Sequence, residues 1–181
     1  MLEFRDGDEG AFDALFRRWA ARLLRYLGRV VADPAVAEEL VQEVFLRVHR
    51  ARERYAPDAK FSTWLFTIAT NLARNELRRP QQRARERSLD DGADGPPLEL
   101  AGSGPRADDV AHARRVGASL EAELAALPDR QREALWLAAV EGFSYAEVAS
   151  TLATSESSVK ALVHRARATL AERLGPERTQ P

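Results

Sequence analysis

From Gly10 to Arg79 apolar positions return every third or fourth residue, the spacing of helices that each bury one stripe. In "AFDALFRRWAARLLRYLGRVV" that stripe is Phe12, Leu15, Phe16, Trp19, Leu23 and Leu27. The next run, "DPAVAEELVQEVFLRVHRA", opens with Asp33 as N-cap and Pro34 at the first helical position. Val36, Leu40, Val44 and Val48 then share one face. A third helix is expected after Ser62, beyond the turn "RYAPDAKF", running until Pro80 stops it.

The periodicity then fails. "LDDGADGPPLELAGSGPRADD" is rich in Gly, Pro and Asp and has no face to bury, so 81–118 reads as a flexible acidic linker. Helical spacing resumes from Val110 to Leu127, and "LPDRQREALWLAAVEG" starts another helix near Pro128 and Asp129. No segment alternates as a strand would. The expected fold is all-α, with two small helical domains over 1–80 and 119–176.

The second block carries the more specific pattern, "GFSYAEVASTLATSESSVKALVHRARATLAERL". Ser144 and Glu147 form a capping box for a short helix bearing Val148 and Leu152, and "ATSE" makes a turn with Ser155 as the next cap. Val159, Val163, Ala166 and Leu170 form the inward seam of a longer helix, so the whole reads as a helix-turn-helix. Its outward residues are Glu156, Ser157, Ser158, Lys160, His164, Arg165 and Arg167. Hydroxyls and Glu suit base edges, and the cations suit phosphates. The same spacing also fits an αα-hairpin with a solvated charged face.

In the third helix of the first block, Phe61, Leu65, Ile68 and Leu72 share a face with Trp64 at its edge. Thr63, Thr67, Thr70, Asn71, Arg74 and Arg78 gather opposite. Mid-helix Thr costs about a few tenths of a kcal/mol each against Ala, which a merely solvated face has no reason to accept. Thr and Asn can bond bases or sugars, Arg can pair with phosphate, and Tyr55, Phe61 and Trp64 can stack on unpaired bases. Alternatively those aromatics belong to the core. On the preceding helix Glu38, Glu39, Gln42 and Glu43 lie beside Leu40, Val44 and Phe45, a surface unsuited to DNA and suited to protein or to solvent.

Net charge is -1, from 27 basic and 28 acidic side chains, and hides a reversal of sign along the chain. Phe61 to Arg87 holds six Arg against two Glu, whereas Leu89 to Asp109 holds six acids against Arg106 alone. There is no cysteine, so disulfide and thiolate chemistry are excluded. The charged start "MLEFRDGDEG" lacks a signal-peptide core and no run is long enough to span a membrane, so a cytoplasmic location without membrane insertion is expected. His49, His112 and His164 are scattered, so no metal site or cofactor is expected. The surface acids have neither a partner His nor a lined pocket for hydrolysis, so no enzymatic activity is expected.

"AEELVQEVFLRVHR" followed by "FSTWLFTIATNLARNELRR", and then by "LPDRQREALWLAAVEGFSYAEVASTLATSESSVKALVHRARATL", resembles the extracytoplasmic-function (ECF) group of sigma-70 family RNA polymerase sigma factors. The resemblance covers most of both helical blocks in the family's order. It implies that Glu39, Leu40, Gln42, Glu43, Phe45 and Leu46 bind the clamp helices of the largest subunit of core RNA polymerase, with the flap as a further contact. It implies that Tyr55, Phe61, Trp64, Asn71, Arg74, Asn75 and Arg78 hold the non-template strand of the melted -10 element. The helix from Ser155 would read the -35 duplex, and the acidic middle would run near the RNA exit path.

Departures from the family's habit are Glu39 for Asp, Ala153 and Ser157 for Gly, and Leu162 for an Arg that often contacts DNA. An exposed Leu162 and the Glu-rich surface would leave room for an anti-sigma factor. Two other functions fit the bare pattern. One is a helix-turn-helix regulator that binds duplex without polymerase and dimerises through Glu38 to Glu43. The other is a helical protein-interaction adaptor.

Overall fold

The computed structural model describes residues 1–31, 33–87 and 120–174; the acidic stretch, with the start of the helix expected from Val110, lies outside the described residues. The N-terminal module holds α1 (Leu2–Arg5), α2 (Glu9–Val31), α3 (Pro34–Arg50), a single 3-10 turn (Arg52–Arg54) and α4 (Phe61–Arg87). The C-terminal module holds α5 (120–125), α6 (Asp129–Ala139), α7 (Tyr145–Leu152) and α8 (Glu156–Leu174). No strand occurs among the described residues.

Local chemistry sets most boundaries. Asp33 Oδ1 accepts from the backbone N–H groups of Ala35 and Val36 at 2.9 and 3.2 Å, while Pro34 occupies the first turn of α3. At α4 the expectation fails, because the helix continues through Pro80 to Arg87. Proline removes one helical hydrogen bond and crowds the preceding turn at a cost of about 3 kcal/mol. The flanking Gln, Arg, Ala and Glu are good helix formers and keep the helix going on either side. The four-residue α1 is too short to show a period, yet Phe4 is fully buried against Phe12 and His49, with ring centroids 5.0 and 5.4 Å apart.

Leu23, Tyr26, Leu27 and Val30 of α2 meet Ala37, Val44 and Val48 of α3 and Leu65, Phe66, Ala69 and Ala73 of α4. In the other module Ala134 and Leu137 of α6, Val148 and Leu152 of α7, and Val159, Val163 and Ala166 of α8 do the same. Each large side chain buried this way contributes about 1.5–3 kcal/mol. The two sets form one continuous cluster. α7 packs along α4 and α6 against α2, and the Phe66 and Phe143 rings meet across the seam at 5.4 Å.

Candidate functional site

Along α3 the six residues assigned to a protein partner divide by burial. Leu40 and Phe45 point into the core, Glu39, Gln42 and Leu46 are exposed, and Glu43 is half-buried and paired with Arg47 at 2.9 Å. Leu40 and Phe45 therefore brace the face from beneath. Leu46 is 49% exposed, and near it Phe16 lies open to solvent with its ring 4.7 Å from that of Phe45. Glu39, Glu43 and Arg47 also line a groove that α4 closes with Leu72 and Asn75, which joins the α3 surface to the α4 surface.

On α4 the residues assigned to a melted strand also divide. Asn71, Asn75 and Arg78 are exposed at positions i, i+4 and i+7, one stripe of the helix. Phe61 and Trp64 are half-buried and Tyr55 is buried. The three rings cluster with centroids 5.1–6.2 Å apart, and Trp19 adds an edge contact to Phe61. Burial, with Asp58 adding to it, pushes the Tyr55 phenol above its ordinary value.

Most of the rest of the polar side of α4 is turned away from solvent. Thr63 and Thr70 are buried, Thr67 donates back to the Thr63 carbonyl at 2.7 Å, and Thr70 Oγ1 pairs with the Tyr26 hydroxyl at 2.7 Å. Burial raises the Tyr26 phenol far above its usual range, so it stays neutral. Arg74 reaches into the C-terminal module, donating to Glu133 Oε2 at 2.8 Å and to the Leu152 carbonyl at 3.2 Å. Desolvation raises the Glu133 carboxyl, and the Arg74 guanidinium pulls the other way.

The helix-turn-helix is built as its caps predict. Ser144 Oγ accepts from the Glu147 N–H at 3.2 Å, and Glu147 Oε2 accepts from the Ser144 N–H at 2.8 Å. The hydrogen bond from Lys60, followed by those from the Ser144 backbone and hydroxyl, holds the Glu147 carboxyl down to about 2. Ala153 ends α7 in the left-handed region at φ 49°, ψ 58°, and Ser155 Oγ caps α8 by accepting from the Ser158 N–H at 3.2 Å. Glu156, Ser157, Lys160, His164, Arg165 and Arg167 are exposed along α8, and Ser158 is half-buried. Tyr145, Lys160, His164 and Arg167 line one shallow groove beside the helix. Leu162 is the correction here. It is only 8% exposed, because it lies three residues after Val159 and four before Ala166 and so widens the inward seam.

Cations missed by the periodic reading stand at the seam between modules. Arg22 binds the buried Glu141 at 2.6 Å and lies over the Trp19 ring, and Glu141 also accepts from the Trp136 indole N–H at 3.3 Å. Arg132, itself buried, donates to the carbonyls of Ala125 and Leu127 and across the seam to Val30, besides pairing with Asp129. The only signal in the sequence was an Arg and a Glu at core-facing positions of helices otherwise apolar there. Among the described residues no His, Asp or Glu group is placed to hold a metal, and no helix is long and apolar enough to cross a membrane.

Two small helical modules, the second a capped helix-turn-helix with a basic outer face, define a two-part DNA-binding protein. The family model for Sigma-70 region 2 matches residues 15–84, and that for Sigma-70 region 4 matches residues 118–170. The RNA polymerase sigma factor CarQ of Myxococcus xanthus is 38% identical over 175 residues, covering 97% of this chain and 95% of CarQ. The ECF RNA polymerase sigma factor SigE of Mycolicibacterium smegmatis is 36% identical, over 93% of this chain and 64% of SigE. In the solved complex of the sigma factor CnrH with the cytosolic domain of CnrY, the match has a TM-score of 0.65 at 25% identity. It covers 94% of this chain and 91% of the other. The fold also matches the sigma factor RpoE of Bartonella quintana, solved in complex with the anti-sigma factor NepR, with a TM-score of 0.70 at 24% identity, over 93% and 99% of the two chains.

The chain belongs to the sigma-70 family of RNA polymerase sigma factors, in its ECF group. Its function follows from that membership: it binds core RNA polymerase and directs it to promoter DNA at transcription initiation.

Proposed function

We propose that this sigma factor divides its work among three surfaces. The exposed Glu39, Gln42 and Leu46, backed by Leu40, Glu43 and Phe45, dock on the clamp helices of the polymerase. Asn71, Arg74, Asn75 and Arg78, with the Tyr55, Phe61 and Trp64 cluster at their N-terminal end, hold the non-template strand of the melted -10 element. Ser157, Lys160, His164, Arg165 and Arg167, with Glu156 and Ser158 at the start of α8, read the -35 duplex. The observation that carries this reading is the exposed Asn71, Asn75 and Arg78 stripe, on the same helix whose first turn carries the Phe61 and Trp64 rings.

That pairing of chemistries suits an opened strand. Extruding a base from duplex costs a few kcal/mol, and stacking returns about 1–3 kcal/mol per base, so a few captured bases offset opening. The guanidinium of Arg78 adds a phosphate contact, and the two Asn side chains add donors and acceptors for base edges. Phosphodiester chemistry is left to the polymerase, and the protein works in the cytoplasm beside it. An anti-sigma protein, of the kind bound to the RpoE relative, fits over the Glu-rich α3 face around Leu46.

Transcription reconstituted with purified core polymerase tests the assignment. Leu46→Glu is expected to weaken core binding at least ten-fold while leaving the circular dichroism spectrum unchanged, because the side chain is half exposed. Asn71→Ala with Arg78→Ala should lower open-complex formation but leave binding to a duplex -35 fragment intact. Lys160→Ala with Arg165→Ala should do the reverse. Equal effects of both pairs on both DNAs would sink the division of labour.

A further inference from the structure

α1 is four residues long, well short of the length at which a helix holds itself together, yet the chain fastens it at several points. Gly7, at φ 114°, turns the backbone so that its N–H donates to the Phe4 carbonyl at 3.3 Å and the Asp8 N–H donates to the Glu3 carbonyl at 3.0 Å. Asp8 Oδ1 then accepts from the Ala11 N–H at 3.3 Å near the start of α2. Phe4 is fully buried beside Phe12 and His49, and the Arg52 guanidinium lies 4.7 Å from its ring centroid while pairing with Glu9.

From this anchorage α1 reaches the loop that leads into α4. The Arg5 guanidinium donates to the Tyr55 carbonyl at 3.5 Å, and Met1, Leu2 and Glu3 line a groove together with Tyr55, Pro57 and Phe61. Tyr55 to Lys60 adopt no regular secondary structure, and Tyr55 is buried although the residues from Ala56 to Lys60 are exposed. Its ring sits 5.1 Å from that of Trp64 and 6.2 Å from that of Phe61, so whatever fixes Tyr55 also fixes one edge of the ring cluster. α1 precedes residues 15–84, the stretch that the Sigma-70 region 2 model matches.

We propose that α1 is a positioning element for strand capture: Phe4 and Arg52 anchor it, and Arg5 and Leu2 hold Tyr55 and, through Tyr55, the Phe61 and Trp64 rings. The inference rests on the assignment of those rings to the melted -10 strand. Stacking on an extruded base is strongest when the ring faces are already in place, because ordering a loop at the moment of binding is subtracted from the stacking gain. A loop without secondary structure of its own receives that order from α1. None of Phe4, Arg5 and Arg52 is among the residues assigned to the polymerase or to the -35 duplex. A loss confined to the melted strand therefore separates positioning from general stability.

Arg5→Ala cuts the tie to the loop at an exposed side chain that the core does not need, and Phe4→Ala removes the anchor itself. In the full chain, hydrogen exchange of the loop amides between Ala56 and Phe61 is expected to quicken about three- to ten-fold in both variants. In holoenzyme assembled with core polymerase, binding to forked promoter DNA should weaken by about the same factor, while core binding and binding to a duplex -35 fragment stay as in the wild type. Arg5→Lys, which keeps a cationic donor, should restore most of both readouts. Unchanged exchange in both variants overturns the positioning role. So does an equal loss of core, forked-DNA and -35 binding, which is what a merely structural helix would produce. If exchange quickens with no loss of forked-DNA binding, Trp64→Ala in the same holoenzyme decides the matter. Weaker binding of that variant overturns the positioning role, and unchanged binding overturns the assignment of the rings to DNA instead.

Discussion

Ala153 pays a backbone cost that its neighbours do not. A left-handed conformation is unfavourable by roughly 1–2 kcal/mol for a residue with Cβ, and the side chain is exposed, so it gains no packing in return. Ala153→Gly should stabilise the helix-turn-helix by up to about 1 kcal/mol, less the extra entropy Gly loses on folding, read as a higher midpoint in thermal denaturation. Tyr26→Phe should act oppositely. It removes the hydroxyl paired with Thr70 and strands a buried Oγ1, lowering stability by about 1–3 kcal/mol in urea without changing the slope of the transition. The sequence showed Tyr26 only as one more aromatic in a long helix. Its value depends on Thr70, a residue 44 positions away that helical spacing had assigned to the polar side.

α7 is an eight-residue helix, short enough that its caps decide whether it forms. Ser144→Ala removes the hydroxyl that accepts from the Glu147 N–H and donates to its carboxylate, leaves the backbone half of the capping box in place, and should cost about 1 kcal/mol. Two carboxyls at this end of the molecule then give opposite pH dependences. Glu147 is held at about 2, below its ordinary 4.5, so its contribution is complete above pH 4.5 and is lost as pH falls towards 2. Glu133 is raised above 4.5, so its contribution is complete below that value and is lost as pH rises through the elevated pKa. Stability measured by denaturant titration should therefore climb with pH through the first window and ease off above it. Glu147→Gln should flatten the climb, and Glu133→Gln should flatten the later decline. These caps were legible in "SYAE" because capping is local chemistry. The continuation of α4 past Pro80 was not, because a local rule for proline cannot weigh the good helix formers on both sides.

The continuous cluster across α2, α4, α6 and α7 predicts that the protein melts as one unit despite its two modules. Calorimetry should give one transition with matching calorimetric and van't Hoff enthalpies. Phe143→Ala, which removes a ring packed 5.4 Å from Phe66 across the seam, should lower stability by about 3–5 kcal/mol and split the transition in two.

The sequence by itself determined most of the helices, the caps of α3, α7 and α8, the helix-turn-helix and, through resemblance, the family. Each of these depends on residues within a turn or two of one another, or on motifs in a set order. Tertiary structure alone decided that Leu162 joins the inward seam, that Leu40 and Phe45 support a face they do not present, and that Thr63, Thr70 and Arg74 meet the chain's own second module. Periodicity reports that one side of a helix differs from the other. What each side touches depends on residues brought together from 59 to 119 positions apart, which no local spacing can report.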